Sequence, residues 1–75
     1  MNTDYTTDDF LADLAKNMAD EADAIKGYYK LIKNCPDKYK NFIPEIAHII
    51  SDEKEHLNKL QKIILEIDGI KPNKD

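Results

Sequence analysis

Ser51-Asp52-Glu53-Lys54-Glu55-His56-Leu57 is the stretch on which the reading of this chain turns. Glu53 and His56 are three residues apart, so on an α-helix they project from the same face, one turn apart. Outward from Glu53 in steps of three and four lie Ile46, Ile49 or Ile50, His56 or Leu57, Leu60, Ile63 or Ile64, and Ile67. A carboxylate and an imidazole therefore interrupt the apolar seam of an amphipathic helix where a plain bundle would carry Leu or Ile. The first half of the chain repeats the anomaly. Leu11, Leu14, Met18, Glu21, Ile25, Tyr28 and Ile32 keep strict three-four spacing, with Glu21 in the middle.

The remainder of the composition fits a small all-α chain. Residues 1–75 form one domain, and a chain this short is marginally stable unless a disulfide, a metal or a partner holds it. Cys35 is the only cysteine, which excludes an internal disulfide. The apolar runs are far short of a membrane span and no secretory pattern opens the chain, so a reducing, cytoplasmic setting is expected. Net charge is −4 with no basic stripe, which argues against a nucleic-acid partner.

In chain order, Thr6 and Asp9 make a capping-box pair at the start of a first helix, with Tyr5 and Phe10 at the positions of a hydrophobic staple. That helix is expected over about residues 7–34, with Gly27 as its one weak interior position. Asn34-Cys35-Pro36-Asp37 reads as a tight reversal. A second helix is expected over about 37–68, kinked near residues 40–44 by Pro44, with a start at Pro44 itself as the alternative. Gly69 is expected to cap it, Pro72 to prevent its continuation, and Lys71–Asp75 to form a loose tail.

An antiparallel hairpin turning near Asp37 places Glu21 and Glu53 at the same height, facing each other. Two helices alone leave their seam half wet, whereas two hairpins paired into a four-helix bundle close it. A homodimer, or a higher multiple of dimers, would gather two copies each of Glu21, Glu53 and His56 in one layer. Four buried carboxylates are not stable uncompensated. Two divalent cations per dimer would cancel them and leave the imidazoles as neutral ligands; the donor set suits iron, manganese or zinc better than calcium or magnesium.

Asp20-Glu21-Ala22-Asp23-Ala24-Ile25 with Tyr28, and Asp52-Glu53-Lys54-Glu55-His56 on the next helix, resemble one half of a ferritin-like or rubrerythrin-type di-iron bundle over roughly residues 10–67. The similarity is nearest to two-helix half-ferritins such as the encapsulated ferritins, whose site forms between chains. The resemblance implies Glu53 as a bridging ligand, Glu21 and His56 as terminal ligands, and binding of Fe(II) with its oxidation by dioxygen or peroxide. There are no Cys-x-x-Cys pairs for the electron-transfer iron site of full rubrerythrins, and the tail from Asp68 to Asp75 does not resemble an encapsulin-targeting peptide.

Other readings stand beside these. As alternatives, Glu21, Glu53 and His56 would form a polar layer that fixes the register of a non-catalytic assembly module, or hold a purely structural metal. Tyr28, two turns from Glu21, is either a catalytic or positioning phenol for a ligating carboxylate or an ordinary core tyrosine. Asn17, one turn below Glu21, is a lesser candidate of the same kind. Glu45 and His48 form a second Glu-x-x-His, but His48 points about 140° away from Glu53 and is expected on the surface.

Overall fold

The computed structural model describes residues 4–70 and, for Ile70, only its backbone; the expectations for Pro72 and the Lys71–Asp75 tail lie outside the described residues. The described chain is all helical: α1 over Thr7–Lys33, a 3₁₀ segment over Asp37–Phe42, and α2 over Ile43–Ile70. Helix α1 and helix α2 pack along their length as a hairpin.

The start of α1 is the capping box that the sequence implies. The Asp9 amide donates to Thr6 Oγ1 (3.1 Å) and the Thr6 amide donates to Asp9 Oδ2 (3.0 Å), so two otherwise orphaned donors are satisfied. Tyr5 reaches past this turn and its hydroxyl donates to Asp13, which raises the phenol's pKa. At the other end, the Asn34 backbone and side-chain amides both donate to the Lys30 carbonyl (3.0 and 2.9 Å), closing the helix without a left-handed residue.

The second helix starts within one residue of the alternative reading, a start at Pro44, and departs from expectation at its far end. It does not run from Asp37 with a kink at Pro44; a 3₁₀ segment covers Asp37–Phe42 and the α-helix begins at Ile43, which puts Pro44 in its first turn. Proline explains the switch. Pro44 cannot donate to the Lys40 carbonyl, and its ring would crowd that oxygen in a continuous α-helix; the Ile43 amide bonds Lys40 O in the tighter three-residue pattern instead. At the far end Gly69 is not a cap. It stays in the helix, and no glycine among the described residues has a positive φ.

The inward residues of α1 are Leu11, Leu14, Met18, Glu21, Ile25, Tyr28 and Ile32, as the spacing implies. For α2 the structure settles each open choice: Ile50, Leu57 and Ile64 turn inward with Ile46, Glu53, Leu60 and Ile67, while Ile49, His56 and Ile63 lie on the flank. Burial is nevertheless slight. Among the described residues only Ile25 and Ile50 are buried, and no side chain is completely enclosed. The radius of gyration is 17.3 Å, against about 11 Å for a globular chain of this length. The surface of 6025 Å² exceeds the roughly 4,700 Å² of a compact protein of this mass.

A candidate metal centre

Glu21 and Glu53 face each other across the hairpin, each about midway along its helix. Their level placement is a matter of chain length, because the two helices run about equally far from the reversal to the acids. His56 adds a third donor from one turn along α2. Its Nδ1 lies 3.4 Å from Glu53 Oε1 and 3.6 Å from Glu21 Oε2, so one imidazole nitrogen looks at both carboxylates. The acids are half-buried, whereas His56 stands on the flank with about half its side chain exposed (53%).

The Glu21 carboxylate disfavours a full charge on Glu53 beside it. The pKa of Glu53 is raised, first by a hydrogen bond with Glu21, then by partial burial and by repulsion from the Glu21 charge; the neighbouring His56 opposes the shift. Glu21 Oε2 meanwhile is buried and accepts no hydrogen bond. An oxygen in that position is under-satisfied by the protein alone.

These features fit a divalent cation. One donor atom from each of Glu21, Glu53 and His56 falls within 4.8 Å of the others. The oxygens and nitrogen around a tetrahedral cation at about 2.1 Å stand about 3.4 Å apart, so small side-chain rotations would converge them. Three protein donors leave coordination positions open to water, substrate or a further ligand. Among the described residues no other group of His, Cys, Asp and Glu converges in this way.

The remaining candidates are placed as follows. Tyr28 is half-buried on the seam, about 10 Å along the axis from Glu21, and among the described residues makes no hydrogen bond to either acid. The Asn17 amide is tied to its own helix, donating to Asp13 O (2.9 Å). Asn17 does border the hollow before the site, an open space of about 350 Å³ lined also by Glu21, His56, Lys59 and Leu60. Lys59 was not singled out from the sequence, although its position one turn beyond His56 was a signal; its ammonium is held outward by Glu55 (3.2 Å). His48 is on the surface as expected, 3.8 Å from Asp52 and well removed from the trio. No helix among the described residues is long and apolar enough to cross a membrane. Comparison with protein-family models, with curated proteins and with solved structures gives no match.

Proposed function

We propose that the protein is an iron-binding, ferritin-like helical hairpin whose Glu21, Glu53 and His56 hold metal at a site completed by a second copy of the chain. The observation that carries this reading is the convergence of two half-buried carboxylates and an imidazole Nδ1 on one point of an otherwise apolar seam, with Glu21 Oε2 buried and accepting no hydrogen bond. Cations would stabilise the charged carboxylates against the Glu21 hydrogen bond, the partial burial and the repulsion that raise the pKa of Glu53. A dimer supplies four carboxylates and two imidazoles, the donor set of a dinuclear carboxylate centre with one neutral nitrogen for each of two metals.

Iron bound there would supply electrons to dioxygen or peroxide, giving ferroxidase or peroxide-consuming activity; manganese and zinc fit the same donors. The chain's own contribution is to hold the acids level, to keep the Nδ1 of His56 turned inward, and to surround the site with aliphatic side chains. A second reading has one observation in its favour. The three side chains already meet without metal, His56 Nδ1 lying 3.4 Å from Glu53 Oε1 and 3.6 Å from Glu21 Oε2, as a polar layer that sets the register of a non-catalytic assembly would require.

Native mass spectrometry of chelator-stripped protein, before and after anaerobic addition of Fe(II), separates the two. The expected result is an assembly of even chain number that gains two metal ions per pair of chains and then consumes oxygen or peroxide. An assembly that takes up no metal would leave only the register layer.

A further inference from the structure

A second hollow lies on the flank of the hairpin away from His56, and its walls are of a different kind. On α2, Ala47 and Ser51 stand one turn apart, and two such small side chains opposite Tyr29 leave a gap between the helices. The open space measures about 260 Å³ and is lined by Tyr29, Ile32, Ala47, Ile50, Ser51 and Lys54. Ile50, one of the two buried side chains among the described residues, makes an apolar floor with Ile32. Tyr29 is 47% exposed and presents its ring as a wall, with Lys54 Nζ 5.4 Å from the ring centroid. No carboxylate is among the lining side chains.

The cations around this hollow are not spoken for within the chain. Lys16, Lys40 and Lys59 are each held by a carboxylate at 2.9–3.3 Å. Lys26, Lys33 and Lys54 form no ion pair among the described residues. Lys26 stands three residues before Tyr29 and Lys33 four after it, so both share its side of α1, about 4.5 and 6 Å away along the axis. In a chain of net charge −4, three ammonium groups thus gather round one aromatic-walled hollow with no acid among them. Asn17 and His56 mark the opposite flank, so a second copy seated on that side leaves this one open.

We propose that this hollow binds a small aromatic phosphate monoester. Its ring lies along Tyr29 over Ile32 and Ile50, and its phosphate meets Lys54 and the Ser51 hydroxyl, within the field of Lys26 and Lys33. Charge selects the head group: three cations match a phosphate dianion better than a single carboxylate. The Tyr29 ring and the aliphatic floor select a flat, apolar body. Size selects a single ring, because 260 Å³ falls below the roughly 300–1,000 Å³ of pockets that enclose larger ligands. On binding, Lys54 exchanges an exposed contact with the Tyr29 face for a charge-assisted hydrogen bond to phosphate, the stronger of the two. None of these residues is a proposed metal ligand, so the site stands or falls apart from the metal reading.

The test is a titration of the chelator-stripped, isotope-labelled full chain with phenyl phosphate in Tris chloride, followed through amide chemical shifts. Saturable shifts centred on Tyr29, Ala47, Ser51 and Lys54 are expected, with a Kd on the order of 1 mM for so open a site. Inorganic phosphate carries the charge alone and phenol the ring alone; each should bind at least about 5-fold more weakly. Lys54→Met keeps the stem and removes the charge, and should weaken phenyl phosphate binding about 10-fold. Lys26→Met with Lys33→Met should weaken it about 3-fold, and Lys62→Met, about 12 Å further along α2 than Lys54, should change nothing. Tyr29→Leu should erase the preference for phenyl phosphate over inorganic phosphate. All these positions are exposed, so unchanged far-UV circular dichroism is expected throughout. Absence of saturable shifts, inorganic phosphate bound as tightly as phenyl phosphate, or a Lys54→Met chain that binds like the parent would each overturn the site.

Discussion

Helix α2 carries Glu-x-x-His twice, eight residues apart, and the two copies have different fates. Glu45 and His48 sit on the charged face, His48 79% exposed and near only Asp52. Glu53 and His56 sit where the seam meets its flank, within reach of Glu21 on the opposite helix. The local spacing is identical, so spacing alone does not make a site. The difference is the phase of the motif against the apolar repeat, together with an acid at the same height on the neighbouring helix.

Substitution of the proposed ligands is the strongest way to break this comparison. Glu53→Ala, His56→Ala or Glu21→Ala should each weaken Fe(II) binding by more than about 100-fold, since loss of even an outer partner of a metal ligand commonly costs 10–100-fold. Glu45→Ala and His48→Ala should leave the isotherm unchanged. Calorimetric titration under anaerobic conditions reads both sets, and equal losses in the two would show that the motif binds without its phase.

Proton linkage sharpens the contrast at intermediate size. Glu53 has a raised pKa in the fold, so its stabilising contribution is present below the ordinary value of 4.5 and is lost as pH rises through the raised value. The metal-free protein should therefore lose thermal stability as pH climbs above 4.5, and Glu53→Gln should flatten that part of the profile, while Glu45→Gln should not. Melting curves followed by circular dichroism across this range would show the difference. Added metal should reverse the slope, because cations compete with protons for the same oxygens.

The smallest effect concerns the scaffold and should spare both motifs. Gly27 lies in the middle of α1, and an added Cβ there meets nothing within 4 Å. Gly27→Ala should stabilise the hairpin by about 0.4–1 kcal/mol, measured by denaturant melts, with metal binding unchanged.

Much of this arrangement was legible from period and punctuation. The seam of α1 followed residue by residue from its three-four spacing, and Thr6 with Asp9 announced the helix start. On α2 the same counting left Ile49 or Ile50, His56 or Leu57 and Ile63 or Ile64 unresolved, because adjacent aliphatic residues satisfy the period equally well. Packing against α1 resolved them and moved His56 to the flank. Pro44 left two readings, a kink in a longer helix or a helix start at Pro44 itself, because sequence gives the lost hydrogen bond but not whether the preceding turn tightens to 3₁₀; the structure lies within one residue of the second. Gly69 was read as a cap on propensity alone. A glycine can take left-handed geometry but is not obliged to.

The level placement of Glu21 and Glu53 makes chain length a part of the site's chemistry. Seven residues inserted into α2 between Pro44 and Glu53 would preserve its amphipathic period, yet would carry Glu53 about 10 Å past Glu21. The fold would survive such an insertion and the pairing of acids would not, unless α1 gained a matching seven between Glu21 and Lys33. The hairpin thus behaves as a ruler folded at its midpoint. Its two acidic marks meet only while the arms remain of equal length, so the proposed site is encoded in spacing as firmly as in the identity of its residues.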